Sequence, residues 1–597
     1  MKPLLLGRNA ATGRRLFITP KQRSTHMFVP GRTGTGKTTF LEFLIRQDIR
    51  AGNGLCLLDP DGELFNNVLA YCAKRGNLED RVLIVDPNEN DYRVGLNYFD
   101  LPGYSAQKKV GMFIEACYKV LGQSQQETKV LFERWGMAAA KPLAGYPGGP
   151  LTLAELHPLL VDTAFRSAVL ATVPAGTHLA GEWRHFDDEL RPQEKNTALF
   201  SVLNRCAKFA SDERMEEILG QPNCVDWLDA MNAGKIVLVN LYGGGNVTAD
   251  LARMLGVLTI HQIVAAAMLR PENPPPKPFY VYVDEFSAVV TEDFRTALKR
   301  LRKRGVSFTL AQQDLKDLLL EDDGKLFDSV INNTTNKVAF GMENADDAAV
   351  LARHLFAGQT TGTNVKWQGV PVTQAVPIAK SAEVAVETYG HSRSRSGDSS
   401  QTDSSAGSYD PDGDELLTTR GVVRGHREAW SDVESGSTTY QTAHWTEYEY
   451  NLVDQAPQLM SIEEELHHYS RRILRQDIGE AQLKYDPKKP TLALRTFAPG
   501  SREFPRVWTS PELVAEFRKK VYGRMGLPRT AEVRRLIADR RQRVLAAHQV
   551  MPLEGAVPEE AFERLAKRPK KQPAKPKAAH APRVITTKKQ TKPPRAH

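Results

Sequence analysis

The chain has 597 residues, 41% hydrophobic and 25% charged, which is the composition of globular protein and a length of about four domain-sized units. Its net charge of +8 is uneven, because eleven Lys and Arg fall in residues 567–597, which hold no acid, so the first 566 residues carry −3. Five scattered cysteines without a C-x-x-C pair, and apolar stretches shorter than a membrane span, favour a cytoplasmic protein with reduced thiols and no zinc site, signal peptide or direct membrane span.

The first informative element is a phosphate loop. A short apolar run at 27–29 precedes GRTGTGKTTF, and Leu41, Leu44 and Ile45 follow at helical spacing. In a strand, G-x-x-x-x-G-K-[ST], helix arrangement, backbone N–H groups cradle phosphates, the lysine contacts the β and γ oxygens, and the threonine ligates Mg²⁺. The predicted cofactors are therefore ATP and Mg²⁺. The predicted binding residues are Gly31, Thr33, Gly34, Thr35, Gly36, Lys37, Thr38 and Thr39, with Thr38 also a magnesium ligand.

The next segments alternate between strand and helix patterns. GLCLLD at 54–59 and RVLIVD at 81–86 read as buried strands with a helical stretch between them, which predicts a parallel sheet. Residues 104–233 instead show amphipathic helices and no convincing strand, which predicts a helical insertion. A strand pattern returns at 235–242.

A second strand-end motif follows at KPFYVYVDEF. The strand at 279–283 delivers Asp284 and Glu285 to its carboxyl end, in the form of a Walker B motif. Asp284 is expected to hold the water shell of Mg²⁺, and Glu285 to orient or deprotonate the attacking water. After a helix at 291–305, the strand VSFTLAQQ ends in Gln312 and Gln313. A glutamine there is placed to sense the γ-phosphate, or is simply a hydrogen bonder at the strand end.

The C-terminal part has three kinds of segment. Residues 380–448 are rich in Ser, Thr, Gly and Asp, which predicts a flexible linker or surface loop. Two basic helices are predicted in 511–547, and their cations are candidates for DNA or partner contact or form a solvated face: Arg518, Lys519, Lys520, Arg534, Arg535, Arg540, Arg541 and Arg543. Residues 567–597 read as a disordered basic arm that binds phosphates, or as a solubilising tail.

Seven segments in fixed order carry a family resemblance: GRTGTGKTTF, LLDPDGEL, VLIVDPNENDYRVGLNYFD, KIVLVNL, YVYVDEF, LRKRGVSFTLAQQ and INNTTNKVAFGMENADDAAVLA. Over roughly residues 1–360 the set resembles the soluble ATPase part of type IV secretion coupling proteins, the TraD/TraG-like branch of the HerA/FtsK superfamily. The resemblance implies a homo-oligomer, a hexameric ring that hydrolyses ATP between subunits and drives DNA through a central pore. It also implies three catalytic residues: Glu285 of Walker B, Gln313 as the sensor, and Arg302 as an arginine finger that acts on the nucleotide of a neighbouring subunit.

Several functions remain open on this resemblance. Membrane-anchored coupling proteins carry transmembrane helices ahead of the ATPase, whereas the phosphate loop here begins at residue 31. We therefore expect a translocase that docks through another protein, with a secretion channel, a relaxase or a nuclease as partner. The alternatives are a HerA-like DNA-processing or defence ATPase, and an ATPase that translocates or remodels protein. A nucleotide-gated scaffold would not need the Asp284–Glu285 pair.

The fold expected from these elements is an α/β, RecA-like P-loop NTPase core with a parallel sheet, an inserted all-α domain, and a C-terminal region after a flexible linker. The predicted boundaries are 1–103 and 234–379 for the core, 104–233 for the insertion, 380–448 for the linker or loop, 449–566 for an accessory region with basic helices, and 567–597 for the tail.

Overall fold

The computed structural model describes residues 2–121, 126–210, 212–273, 276–320, 324–362, 364–386, 398–409, 415–427 and 439–550. They fall into two compact units, one within Met1–Thr361 and Ile462–His597 and the other within Gly362–Ser461. The predicted tail at 567–597 lies outside the described residues.

The strands within residues 27–312 follow one another as the sequence patterns predict, and two strands that were not predicted precede them. In chain order they are β1 (Leu4–Asn9), β2 (Arg15–Ile18), β3 (Met27–Pro30), β4 (Gly54–Asp59), β5 (Val82–Val85), β6 (Ile236–Asn240), β7 (Phe279–Val283), β8 (Val306–Gln312), β9 (Asn336–Phe340), β10 (Val365–Val386), β11 (Asp398–Tyr409), β12 (Glu415–Arg427), β13 (Thr439–Leu459), β14 (Glu480–Lys484) and β15 (Leu492–Arg495).

Helices connect consecutive strands from β2 to β9, and further helices follow β9, β13 and β15. They are α1 (Pro20–Arg23), α2 (Lys37–Ala51), α3 (Glu63–Arg75), α4 (Ala106–Leu121), α5 (Gln126–Ala144), α6 (Leu156–Val161), α7 (Thr163–Leu170), α8 (His178–Arg184), α9 (Pro192–Ala210), α10 (Glu213–Leu219), α11 (Trp227–Ala233), α12 (Ala249–Met268), α13 (Glu292–Leu301), α14 (Lys316–Leu320), α15 (Lys325–Asn333), α16 (Ala345–Leu355), α17 (Ile462–Leu474), α18 (Pro511–Met525) and α19 (Thr530–Val550).

The larger unit is built on an eleven-stranded sheet in the order β2-β1-β15-β14-β9-β3-β8-β7-β4-β6-β5. The seven strands from β9 to β5 are parallel to one another. Their residues form near-continuous buried apolar runs, as in β4, β6, β7 and β8, because helices cover both faces of a parallel sheet. The predicted α/β fold with a parallel sheet is confirmed.

The sheet also takes strands from a range that was predicted to lie outside the core. β14 pairs antiparallel with β9, β15 with β14, and β1 with β15. Residues 480–495, which the sequence analysis placed in the accessory region 449–566, therefore extend the ATPase sheet. The prediction missed this because pairing between strands about 140 residues apart leaves no local pattern.

The insertion is all-helical, as predicted. Between β5 and β6 the described residues contain α4 to α11, a π-helical turn at His185–Glu189 and no strand. Its core includes a cluster of Trp135, Trp183 and Phe186, whose ring centroids lie 5.0 to 5.6 Å apart.

The 20-residue helix α12 is strongly apolar. By length and composition α12 could cross a membrane, and it is the one such helix among the described residues. However, 89% of its apolar 18-residue stretch is buried inside the protein. His261 hydrogen-bonds to Tyr98 and Thr291, and Gln262 accepts from Trp227, so its polar residues are satisfied within the fold. α12 is a core helix.

The two C-terminal basic helices pack on the rest of the unit. α18 contacts α3 and β5, and α19 contacts α7 and α10. Most of the cations that were candidates for DNA or partner contact are paired within the chain: Arg518 with Asp86, Lys520 with Glu516, Arg534 with Glu213 and Glu217, Arg540 with Glu155, and Arg541 with Glu216. Each of these five side chains has an acidic partner within the chain, and their contact with DNA or a partner stays a prediction.

The smaller unit consists of paired strands. β10 pairs antiparallel with β13, and β11 with β12. The described residues of 380–448 therefore form ladders, where a flexible linker or loop was predicted. Low apolar content argues against a core, yet ladder hydrogen bonds come from the backbone, and Thr and Val favour strands.

Candidate nucleotide site

The site lies where three parallel strands end. In the β3–β8 pair Pro30 is opposite Gln312, and in the β7–β8 pair Val283 is opposite Leu310. Because parallel strands end at one edge of a sheet, the phosphate loop, the Asp284–Glu285 pair and Gln313 are brought to the same edge. Ligands of open α/β sheets bind at this carboxyl edge.

The phosphate loop is fixed from both sides. The Gly31 N–H donates to the Gln312 carbonyl at 3.0 Å, and the Arg32 N–H to the Gly341 carbonyl at 2.9 Å. A Cβ on Gly31 would lie 2.5 Å from the Cβ of Phe340, so only glycine fits between β3 and the end of β9. Gly36, the N-cap of α2, has a φ of 102°, which other residues rarely adopt. These contacts hold the loop open at the start of α2.

Lys37 and Glu285 face each other across this edge. The Lys37 Nζ lies 3.2 Å from the Glu285 Oε1, and the lysine is buried. The second carboxylate oxygen of Glu285 accepts the Gln313 N–H at 3.2 Å. Burial raises the pKa of Glu285, although the Lys37 charge opposes the shift. Glu285 also has a φ of 43°, a left-handed conformation that is strained for a residue with a side chain.

Asp284 and Thr38 provide oxygen ligands of the kind that Mg²⁺ prefers. Asp284 is buried, and its Oδ1 accepts the Glu285 N–H at 3.1 Å. Burial raises the pKa of Asp284, whereas the Lys37 charge and a hydrogen bond with Thr38 lower it. The searched residues include no group of three or more His, Cys, Asp or Glu that could hold a metal alone. One carboxylate and one hydroxyl fit an ion whose other ligands are waters and nucleotide oxygens.

The two strand-end glutamines have different surroundings. The Gln312 amide is buried and hydrogen-bonded to Ser287, accepting its N–H at 3.0 Å and donating to its hydroxyl at 2.9 Å. The Gln313 Oε1 instead accepts the Thr33 hydroxyl at 2.5 Å, so Gln313 contacts the phosphate loop. The sensor role of Gln313 remains a prediction, and the alternative of a strand-end hydrogen bonder describes Gln312.

Arg302 lies far from these residues. It begins a 3₁₀ turn, Arg302–Arg304, just before β8, whereas Gln313 follows the end of β8. Seven strand residues span about 23 Å, so Arg302 is at the opposite edge of the sheet from the phosphate loop of its own chain. Its side chain is exposed, while Arg304 pairs with Glu272 at 3.2 Å and with the Arg270 carbonyl. A role for Arg302 in trans remains a prediction.

Asp59 is a polar residue of this edge to which the sequence analysis gave no role. It ends β4, beside β7, in whose register Leu58 is opposite Val283. Its carboxylate accepts the Asp61 N–H at 3.1 Å and the Phe65 N–H at 2.7 Å. Burial raises its pKa to about 6, with a further contribution from Asp284. The signal was present, since LLDPDGEL has the same form as Walker B, a buried strand that ends in an aspartate.

A second contact was not foreseeable. The Gly479 N–H donates to the Thr35 carbonyl at 2.9 Å, so the segment before β14 touches the phosphate loop. A lone glycine more than 440 residues downstream carries no motif.

Two family models match the chain. The model described as the TraM recognition site of TraD and TraG matches residues 278–424, and the model of the central domain of the helicase HerA matches residues 6–134. No curated protein matches the chain.

Solved structures with similar chains include coupling proteins. The unbound monoclinic form of the bacterial conjugative coupling protein TrwBΔN70 is 14% identical, with 85% of this chain and 92% of that chain covered and a TM-score of 0.45. Plasmid coupling protein TrwB in complex with ADP and Mg²⁺ is 15% identical, with 84% and 97% covered and a TM-score of 0.43. VirB4 of Thermoanaerobacter pseudethanolicus is 14% identical, with 60% and 89% covered and a TM-score of 0.43.

The two matched ranges contain the residues of the candidate nucleotide site. The HerA model contains the phosphate loop, and the TraD and TraG model contains Asp284 and Glu285. Two ranges of the chain, 6–134 and 278–424, are thus similar to the HerA central domain and to the TraD and TraG domain, and together they contain both halves of the predicted nucleotide site.

Proposed function

We propose that this protein is a ring-forming motor, a hexamer, that couples ATP hydrolysis to translocation of DNA in the cytoplasm. The observation that carries the proposal is the position of Glu285 at the carboxyl edge of a parallel sheet, where its carboxylate accepts hydrogen bonds from the Lys37 ammonium group and the Gln313 backbone N–H. The match to the TraM recognition site of TraD and TraG supports a substrate of the kind that coupling proteins handle.

The chain's own residues divide the chemistry among them. Backbone N–H groups of the phosphate loop and Lys37 hold the phosphates, while Thr38 and Asp284 hold Mg²⁺, which when bound neutralises phosphate charge. Glu285 accepts the proton of the attacking water, a role that its raised pKa favours. Gln313 positions that water or the γ-phosphate.

Nucleotide binding also changes the partner of the base. The Lys37 Nζ lies 3.2 Å from the Glu285 Oε1. Phosphate oxygens compete for the same ammonium group, so binding of ATP releases the Glu285 carboxylate for work on water.

The partners follow from charge and family. The eleven cations of residues 567–597 form a phosphate-binding arm for DNA, since Lys and Arg displace condensed counterions. A secretion channel, a relaxase or a nuclease is the protein partner that directs the motor.

The decisive experiment measures ATP turnover with single-stranded DNA, with double-stranded DNA and without DNA. We expect DNA to stimulate hydrolysis several-fold, and Lys37→Ala to lose both tight ATP binding and turnover. Images of the ATP-bound protein with DNA should show six-membered rings with DNA in the pore. Turnover that ignores both forms of DNA, in rings whose pore stays empty, would contradict the proposal.

The tail is tested separately. Deletion of residues 567–597 should weaken DNA binding and flatten its salt dependence, since each lost phosphate contact lowers the log–log slope by about 0.7 to 0.9. Hydrolysis without DNA should persist. An unchanged slope would show that the arm does not contact DNA.

A second function is an ATPase that moves or remodels protein. One observation favours it: five cations of α18 and α19 that could have faced DNA are paired with acidic residues of this chain. Hydrolysis that is independent of DNA but stimulated by a protein substrate would support this function over the first.

A further inference from the structure

The segment of residues 475–479, between α17 and β14, is here called the 475–479 loop. Its last residue contacts the phosphate loop directly, because the Gly479 N–H donates to the Thr35 carbonyl at 2.9 Å. A Cβ added to Gly36 would be in van der Waals contact with the Gly479 nitrogen, at 3.4 Å, so the two glycines lie close together. The 475–479 loop is therefore part of the wall around the start of α2.

The position of the 475–479 loop in the sheet determines which part of a bound nucleotide it can contact. In the sheet, β8 and β7 lie on one side of β3, and β9 and β14 lie on the other. Lys37 points toward Glu285 at the end of β7, which places the terminal phosphate on the β8–β7 side. A nucleoside end that extends away from this terminal phosphate, across β3, would lie toward β9 and β14. Ala481 of β14 pairs with Phe340 of β9, so the 475–479 loop lies at that end of the site.

The 475–479 loop presents an apolar side chain to solvent. Ile478 is 79% exposed, more than any other large apolar side chain of the described residues. The loop is nevertheless held in place: the Gly479 carbonyl accepts the Thr496 N–H at 2.8 Å and the Thr496 hydroxyl at 3.0 Å, and the Glu480 N–H donates to the Asp477 carbonyl at 3.0 Å. These hydrogen bonds fix the backbone that carries Ile478, so little ordering is needed for its side chain to pack against an apolar surface.

We propose that the 475–479 loop is the nucleobase wall of the ATP site and that Ile478 packs on the face of the base. This inference rests on the proposed binding of ATP at the phosphate loop. An aliphatic side chain contacts a ring face and not its hydrogen-bonding edge, so it holds adenine and guanine alike. The contact adds affinity for the nucleoside end without choosing between purines.

The test separates base contact from phosphate contact. Binding of ATP, GTP and inorganic tripolyphosphate, each with Mg²⁺, is measured by calorimetry on the full chain and on Ile478→Ser. We expect Ile478→Ser to weaken ATP and GTP about tenfold, equivalent to about 1.4 kcal/mol, and to leave tripolyphosphate unchanged. The matched control is Ile462→Ser, an isoleucine that is 54% exposed at the other end of α17, which should change nothing.

The outcomes distinguish this inference from the function on which it rests. Lys37→Ala should weaken ATP and tripolyphosphate together, which confirms the phosphate site. Unchanged ATP affinity in Ile478→Ser overturns the base wall and leaves the ATPase intact. Equal weakening of ATP and tripolyphosphate in Ile478→Ser also overturns it, because the loop then acts only through Thr35. A wild-type chain that binds neither ligand would refute both proposals.

Discussion

The carboxyl and amino edges of the parallel sheet differ in whether their charged side chains are paired. At the carboxyl edge, Lys37 and Glu285 are joined at 3.2 Å, and Glu285 accepts the Gln313 N–H. At the amino edge, Arg302 is exposed and has no side-chain hydrogen bond or ion pair with any residue that the structure describes. The carboxyl edge thus holds hydrogen-bonded candidate catalytic groups, whereas the amino edge presents a cation with no partner among the described residues.

The strand between these edges shows what the difference means. β8 starts just after the turn that contains Arg302 and ends at Gln312, about 23 Å away. No rotamer of an arginine spans that distance, so Arg302 does not serve the nucleotide of its own chain. An arginine at the amino edge acts on ATP only if a neighbouring subunit brings its carboxyl edge there.

The largest effect is expected at the assembled edge. Glu285→Gln should lower ATP turnover on the order of 10⁴-fold, because the amide cannot accept the proton of the attacking water. ATP affinity should persist, since Lys37 and the loop N–H groups remain. Phosphate release and binding of a fluorescent ATP analogue measure the two quantities. Wild-type turnover in Glu285→Gln would show that another residue is the base.

The next effect tests the unpaired edge. Arg302→Ala should lower turnover on the order of 10³-fold, as expected when an arginine that neutralises transition-state charge in trans is lost. Mixing Arg302→Ala with Glu285→Gln subunits should restore part of the activity. In such rings some interfaces join an intact Glu285 from one subunit to an intact Arg302 from the next.

The neighbouring cation supplies the control for Arg302. Lys303 is also exposed in the same turn, and Lys303→Ala should leave turnover nearly unchanged, because a lysine lacks the planar fork of a guanidinium. No recovery on mixing, in rings that native mass spectrometry shows to be mixed, would place the whole site within one subunit and remove the contrast between the edges.

Arg540 is a paired arginine, in contrast to Arg302, and its loss is expected to affect stability and not turnover. Arg540 of α19 lies 2.7 Å from Glu155, which is fully buried in the insertion. Arg540→Ala should lower the free energy of unfolding by about 3 kcal/mol, because a buried carboxylate loses its main partner, and should leave turnover unchanged. Urea denaturation measures it, with Arg535→Ala of the same helix as the exposed control. A loss of turnover without a loss of stability would assign Arg540 to function.

Sequence patterns were sufficient for the carboxyl edge. The phosphate loop, the Walker B pair and the strand that ends in Gln313 each consist of contiguous residues, and parallel strands with helical connections put their ends together without further information. The helical insertion was predictable for the same reason, since amphipathic periodicity is local.

The remaining parts depend on contacts between distant segments. β14 and β15 join the sheet through backbone pairing, and the Gly479 to Thr35 hydrogen bond involves only main-chain atoms. The partners of the basic helices were not predictable, because a cation on a helix looks the same in sequence whether it faces solvent or a buried glutamate such as Glu155. Pairing partners of this kind become visible only in three dimensions.

The amino edge also holds a buried histidine whose protonation state is fixed. The His26 Nε2 donates to the Leu298 carbonyl at 3.0 Å, and its Nδ1 accepts the Phe308 N–H at 3.0 Å, so both ring nitrogens are engaged in the neutral form. Burial lowers the pKa of His26 to about 4, the hydrogen bond to Leu298 opposes this shift, and the nearby charge of Arg302 adds to it.

The smallest effect follows from that lowered pKa. As the pH falls below 6.5, the unfolded chain protonates His26 while the folded chain does not until about pH 4, so stability is lost in this window. Between pH 7.5 and pH 5 the loss from this residue is about 2 kcal/mol. His26→Asn, which tolerates the φ of 58° and does not titrate, should show a correspondingly flatter pH dependence in urea denaturation. Arg302→Ala should reduce the loss slightly, because its charge no longer disfavours the protonated ring. An unchanged pH dependence in His26→Asn would mean that His26 is not held neutral and that the two residues at this edge do not interact.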